Sequence, residues 1–311
     1  MSLYITVEDE EVCAQGKPTI YTIDGGAATG KGTLAGHVAA ARGYYHIDTG
    51  MMYRTVTHAA IEQGIEPNND TALVKLLSEN DSKTGIKFVF DKNKKFHCLY
   101  NGNILGEKFT DEIRTEEFAA NVVVMAQQPV VRAFIDVAVK EFAYGKFSEK
   151  GGRTNAHNCV VEGRDAGTVV FPDTKNAASL ANIVRYFVIV DEEEAGRRRA
   201  KQVLEGKEGT STEEQAKALK VVENTQELIK ARNLADSTRL IAPLTPAKSA
   251  IMLDATNVER LPLLFSVMNN LGNQSPDKEQ KDTIKYEFIN YKKDQRKKEK
   301  AKAKGHTPTK T

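Results

Sequence analysis

The sequence predicts an α/β fold of three layers, with a five-stranded parallel sheet sandwiched between helices. Three observations carry this: short apolar runs alternate with helical stretches, each run is apolar along both faces, and each closes on an acid or a glycine. Strands buried on both sides of a parallel sheet show this pattern, because helices cover both faces.

The first expected strand covers residues 19–23 (TIYTI), rich in β-branched residues and tyrosine, and ends in Asp24-Gly25-Gly26. A helix follows over residues 31–42, and a second strand over 44–47 leads into Asp48-Thr49-Gly50. An insertion of about residues 66–115 then breaks the alternation. Within it, residues 86–91 (IKFVFD) and 96–101 (FHCLYN) flank Lys92-Asn93-Lys94-Lys95, which reads as an antiparallel hairpin. Helical patterning resumes over 116–144 with a break at Pro129. The third strand, 158–161, leads into Glu162-Gly163-Arg164-Asp165, and the last two cover 183–190 and 251–253. Helices over 192–204 and 213–234 separate those two; Asp191 with Glu194, and Thr212 with Gln215, read as capping boxes. Residues 174–182 read as a small loop insertion, and no internal repeat is evident.

The chain of 311 residues, 40% hydrophobic and 28% charged, has ample length for a buried core. No apolar run reaches the ~20 residues of a membrane-spanning helix, and the start (MSLYITVEDEEV) is acidic, unlike a basic, apolar leader. The expectation is a soluble, cytoplasmic protein. Cys13, Cys98 and Cys159 lie far apart and form no CxxC pair, and the six histidines are scattered, so neither a zinc site nor a disulfide framework is expected. Residues 292–311 hold nine Lys or Arg against two acids, so this stretch carries +7 of a net +2 and leaves −5 for the first 291 residues. The folded part therefore has no global attraction for polyanions. Residues 273–311 are expected to form a basic, disordered tail, and residues 1–17 a short acidic extension.

The most specific signal is Gly25-Gly26-Ala27-Ala28-Thr29-Gly30-Lys31-Gly32-Thr33, placed after a strand and opening a helix. Glycines let backbone N–H groups turn inward onto phosphate oxygens, and the helix N-terminus adds its positive dipole end. Lys31 reaches for the β- and γ-phosphates in such a P-loop. Gly32 occupies the position of the usual hydroxyl, and Thr33 brings one a residue late. This GxxxxGKGT variant is typical of nucleoside monophosphate kinases, in which the late hydroxyl meets the α-phosphate.

Four further stretches, IDTGMMYR (47–54), EIRTEE (112–117), VEGRDAGTVVFPD (161–173) and RNLADSTRLIAPL (232–244), resemble bacterial cytidylate kinases, in that family's order and over residues 19–272. The resemblance implies transfer of the γ-phosphoryl group of ATP to CMP or dCMP, with Mg²⁺ held mainly through phosphates and water near Glu162. It also implies a monomer, with an acceptor-binding insertion at about 66–115 and a helical lid at about 191–235. Positioning and charge neutralisation dominate this chemistry, and arginine forks suit two facing phosphates.

Residue by residue, the family pattern implies that Thr49, Arg54 and Arg132 hold the CMP phosphate and ribose side. Arg164 and Asp165 face CMP, with Asp165 accepting from the cytosine amine; Arg232 and Asp236 hold the sugar hydroxyl and phosphate, and Arg239 completes the base and phosphate contacts. Arg198 and Arg199, within Arg197-Arg198-Arg199, match the family's lid arginines. This chain departs from the pattern at Val123 for a serine that touches cytosine, Ala195 for an arginine opening the lid helix, Gly26 for a P-loop proline and Thr49 for a serine. Two rival readings stay open here: a kinase with a broader UMP/CMP acceptor range, and a P-loop-derived RNA-binding protein acting through its basic tail.

Overall fold

The computed structural model describes residues 5–7, 16–78, 85–105, 112–147, 153–204 and 226–256. In chain order the strands are β1 (Ile5–Val7), β2 (Thr19–Gly25), β3 (Tyr45–Asp48), β4 (Ile86–Phe90), β5 (Phe96–Tyr100) and β6 (Asn103–Ile104). They continue with β7 (Lys146–Phe147), β8 (Arg153–Thr154), β9 (Cys159–Gly163), β10 (Asn182–Ile189) and β11 (Ile251–Asp254). The five expected core strands pair in parallel in the order β11-β10-β2-β9-β3.

β2 lies at the centre and is buried from Ile20 to Gly25, which is why its sequence carries no polar face. Alternate side chains feed two cores. Tyr21 and Ile23 pack with Leu34 and Val38 of the helix Lys31–Arg42, while Ile20 faces Met52, Val56 and Ile135 on the opposite side. Register aligns the strand ends: Ile23 and Asp48 both pair with Glu162, and Asp24 pairs with Gly163. Residues far apart in the chain thus converge at one edge of the sheet.

The insertion falls between β3 and β9. Its hairpin pairs Ile86 with Tyr100 and Phe90 with Phe96. Asp91 closes the turn by accepting from the Asn93 and Lys95 N–H groups at 2.8 and 2.9 Å, with Lys94 in the left-handed region. The expected N-terminal extension is not wholly separate from the fold, because β1 pairs in parallel with β4, Ile5 opposite Phe88. The inner face of the hairpin joins the main core, with the Tyr45 ring 4.8 Å from Phe90 and 5.2 Å from Phe142.

The helical stretch over 116–144 breaks as expected. Glu116–Met125 and Pro129–Tyr144 form separate helices bent by 84°. Pro129 stands in the first turn of the second, where its missing N–H leaves no bond unmade. Val131, Ile135 and Val139 bury that helix in the core. Among the described residues no single helix is long and apolar enough to cross a membrane.

Three local expectations need correction. Residues 174–182 hold a helix, Lys175–Leu180, capped by Thr174 accepting from the Ala177 N–H at 3.1 Å. The capping box at Asp191 is only half formed: Asp191 accepts from the Glu193 N–H, but Glu194 turns to Arg197 and Arg198 instead of reaching back. The helix expected over 213–234 is described over 226–238, with Thr212 and Gln215 outside the described residues. Cys98 and Cys159 are buried free thiols, and Cys13 lies outside the described residues. The basic tail, residues 273–311, also lies outside them.

Candidate active site

The phosphate loop leaves β2 under close constraint. A Cβ on Gly25 would stand 2.5 Å from the Val188 carbonyl oxygen of β10, so only glycine fits. Ala28 (φ 56°) and Gly30 (φ 83°) adopt the left-handed region, curling the loop before the helix begins at Lys31. Thr29 Oγ1 and Lys31 Nζ both donate to the Gly26 carbonyl at 3.2 Å. Burial, then the guanidinium of Arg164, press the Lys31 ammonium down to about 7; Arg232 adds to this, while Glu162 and Asp48 oppose it. Thr33 lies half-buried in the first turn of the helix.

Gly32 explains the unusual motif. A Cβ there would stand 2.9 Å from Glu162 Oε2 and 3.0 Å from Oε1, so the carboxylate occupies the space a larger residue would take. Glu162 is held by His46 Nε2 at 3.1 Å. Burial pushes its carboxyl up, but the His46 hydrogen bond, Lys31 and Arg164 outweigh this and keep it low. Asp48 goes the other way: burial, then the neighbouring Glu162 charge, raise it. Asp48 caps the helix Thr49–Glu62 by accepting from the Met51 N–H at 3.0 Å. Thr49 Oγ1 donates to the Glu162 carbonyl at 2.7 Å, which ties this helix to β9.

Beyond the loop, buried charges alternate in sign. Arg132 Nη2 contacts Asp165 Oδ2; Arg239 Nη2 lies 3.7 Å from that same oxygen and Arg239 Nη1 lies 3.6 Å from Asp236 Oδ1. Arg164 Nε then donates to Asp236 Oδ2 at 2.8 Å, and Arg164 Nη1 donates to the Gly25 carbonyl and, at 2.9 Å, to the Gly26 carbonyl. Arg132, Asp165, Asp236 and Arg239 are each at most 9% exposed. Charges are buried this deeply only when paired. Arg132 also donates to the Ala126 carbonyl at 3.0 Å and lies over the Tyr53 ring, 5.8 Å from its centroid.

Asp24 supports this chain from below. Its carboxylate accepts from the Ala166 and Gly167 N–H groups at 2.9 and 2.7 Å, fixing the turn that presents Arg164 and Asp165. Burial pushes its carboxyl up to about 7, against those two N–H groups and Lys31, with Asp165 adding to the rise.

The other expected residues are placed as follows. Arg54 donates to the Ile113 carbonyl and lies 6.0 Å from the Phe118 ring centroid, so Ile113 of the EIRTEE stretch and the phenylalanine that follows it cradle the guanidinium. Arg232 is half-buried near enough to Lys31 to affect its charge. Val123 is half-buried on the helix Glu116–Met125. Arg198 is not brought to the phosphate loop: it pairs with Glu194 at 2.7 Å and donates to the Ala255 carbonyl at 2.6 Å. Arg197 pairs with Glu194 on the same helix at 2.7 Å and is exposed, and Arg199 is half-buried there. Ala195, standing where an arginine opens the lid in the family pattern, is buried against Ala27 and Ile229, which leaves no room for a long side chain. Gly196 lets two helices touch, since a Cβ there would stand 2.1 Å from Gln226 Cγ.

Sequence reasoning named no role for His46, Asp24 or Asn233. Asp24 and Asp48 were visible as acids closing strands, whereas His46 and Asn233 carried no signal apart from their partners. Among the described residues no group of three or more His, Cys, Asp or Glu converges to hold a metal. Glu162, packed against Gly32, and Asp48, opposite it in the β3–β9 pairing, are neighbouring carboxylates of the hard-oxygen kind that can hold a divalent ion through its water.

A family model described as cytidylate kinase matches residues 21–269. A cytidylate kinase of Limosilactobacillus reuteri is 34% identical over 237 residues, 76% of this chain and 87% of the relative. Those of Haemophilus ducreyi and Streptococcus mutans are each 32% identical, over 77% and 76% of this chain and 90% and 88% of their own lengths. With a glycine cradle facing a chain of buried arginines in one fold, and this match along most of its length, the chain belongs to the cytidylate kinase family.

Proposed function

We propose that the protein transfers the γ-phosphoryl group of ATP to CMP or dCMP, giving ADP and CDP or dCDP. The observation that carries this reading is the buried chain Arg132–Asp165–Arg239–Asp236–Arg164, which ends on the carbonyls of the phosphate loop. It sets cations for a second phosphate beside the cradle for the first. A phosphate oxygen of CMP attacks the γ-phosphorus, the bond to the β,γ-bridging oxygen breaks, and ADP leaves. No side-chain nucleophile is required, so alignment and charge neutralisation supply the acceleration.

In this reading Lys31 and the backbone N–H groups of residues 25–33, apart from the Ala27 N–H that donates to Asn233, hold the ATP phosphates. Thr49, Arg54, Arg132, Arg164, Arg232 and Arg239 hold CMP, and Asp236 takes its sugar hydroxyl. Asp165 accepts from the cytosine amine; uracil offers a carbonyl there and leaves a buried acceptor facing an acceptor. Arg198 and Arg199 complete the site when the helix Glu192–Leu204 closes, which requires Arg198 to leave the Ala255 carbonyl. Mg²⁺ would be held through water by Glu162 and Asp48 and would screen the charge of the ATP phosphates. We further assign residues 18–272 to one monomeric, cytoplasmic kinase unit, with the acceptor-binding insertion at about 66–115 and the lid at about 191–235.

A coupled ADP-release assay across CMP, dCMP, UMP and AMP tests the assignment, with CMP and dCMP expected to turn over fastest. Faster turnover of UMP or AMP would sink it. Family membership favours this reading over an RNA-binding protein acting through the tail.

A further inference from the structure

The helix over residues 226–238 touches the phosphate loop at a residue the family pattern gives no role. The side-chain oxygen of Asn233 accepts from the Ala27 backbone N–H at 2.9 Å. A Cβ on Gly26 would stand 3.0 Å from Asn233 Oδ1 and 3.2 Å from Nδ2, so the bare glycine lets the amide lie this close without having to shift. Beside this contact Ala27, Ala195 and Ile229 pack into a small apolar cluster. One turn along the same helix, Asp236 holds Arg164, which donates to the Gly25 and Gly26 carbonyls. The helix therefore grips the loop at an N–H directly and at two carbonyls through Arg164.

We propose that Asn233 is a positioning residue, a latch that fixes the shape of the donor loop and couples it to the acceptor site, with Gly26 as the partner that makes room for it. The coupling half rests on the reading above, since Arg232, Asp236 and Arg239 on and beside this helix are there assigned to CMP. Backbone N–H groups bind phosphate only when the loop holds one conformation. Pinning Ala27 restricts the loop before ATP arrives, so less freedom is lost on binding. Whatever steadies the helix, CMP included, also steadies the loop, so each nucleotide tightens the other reciprocally.

Calorimetry on the full chain tests this, with ATP alone and then with ATP at saturating CMP, for wild type, Asn233→Ala, Gly26→Ala and the double variant. Loss of one neutral hydrogen bond should weaken ATP binding by about fivefold in Asn233→Ala. The factor by which CMP tightens ATP should fall towards one in the same variant, a change that mere loss of stability would not produce. Gly26→Ala pushes the amide away and should weaken ATP similarly, yet add nothing in the Asn233→Ala background, where the methyl enters vacated space. Because Gly26→Ala leaves the helix sequence intact, it decides the question from the loop side if Asn233→Ala unfolds. Wild-type ATP affinity in Asn233→Ala, or two costs that simply add, overturns the latch. A wild type that binds ATP but not CMP overturns the acceptor reading, while the ATP-only arm still decides the latch.

Discussion

Replacing Asp165 separates its two assigned tasks, pairing with buried arginines and reading the base. Its Oδ2 contacts Arg132 and lies 3.7 Å from Arg239 Nη2, in a pocket where all three side chains are less than 10% exposed. Asp165→Ala strands a buried guanidinium, at a cost of about 3–5 kcal/mol. For a unit of this size that lowers the melting temperature by about 6–20 °C. Asp165→Asn keeps the shape and one acceptor oxygen for Arg132, so it folds more nearly as wild type. Its amide N–H now meets the cytosine amine donor to donor, but it suits the uracil carbonyl. One mispaired buried group costs about 1–3 kcal/mol, so kcat/KM for CMP relative to UMP should fall roughly 5- to 150-fold. Coupled ADP release, run well below the variant's melting temperature at subsaturating acceptor, measures the ratio. Equal losses on the two acceptors would refute the base-reading role and leave Asp165 as a structural counter-ion.

Three further outcomes follow from the same geometry. Gly32→Ser sets a Cβ 2.9 Å from Glu162 Oε2 and displaces the carboxylate; kcat should drop about 10- to 100-fold with the KM for CMP little changed, measurable by the same assay over a Mg²⁺ series. Lys31, held near 7 by burial and Arg164, is partly neutral in the empty site, and ATP phosphates would draw a proton back onto it. ATP affinity should therefore fall as pH rises above about 7, with net proton uptake seen by calorimetry in buffers of different ionisation heat, and Lys31→Met should abolish both. Gly196→Ala places a methyl 2.1 Å from Gln226 Cγ and 3.0 Å from its Cα; the overpacking costs about 1–3 kcal/mol and should raise the KM for ATP, and an unchanged value would show that these helices do not set the donor site.

Much of the architecture was legible because it is written locally. Both-face apolar runs marked the five core strands to within two residues at each end, and Pro129 marked the helix break, since its ring and missing N–H act on neighbours only. Local cues failed where a distant partner decided the outcome. Glu194 matched a capping box, yet two arginines on its own helix took the carboxylate. Residues 5–7 looked like an appendage because strand pairing with Phe88 to Phe90 leaves no trace in three residues of sequence. In sequence Ala195 reads as a lost arginine, whereas in the fold it is a packing residue buried against Ala27 and Ile229.

The chain by itself determined a glycine cradle, a set of arginines in ordered motifs and the kind of sheet that carries them. Only the tertiary structure decided which charges meet: that Arg164 bridges Asp236 to the loop, that Glu162 fills the space above Gly32, and that Asn233 holds Ala27. The reason is that parallel strands are joined by long crossovers. Register therefore brings together residues such as Asp48 and Glu162, 114 positions apart, and no local rule of sequence specifies such a pairing.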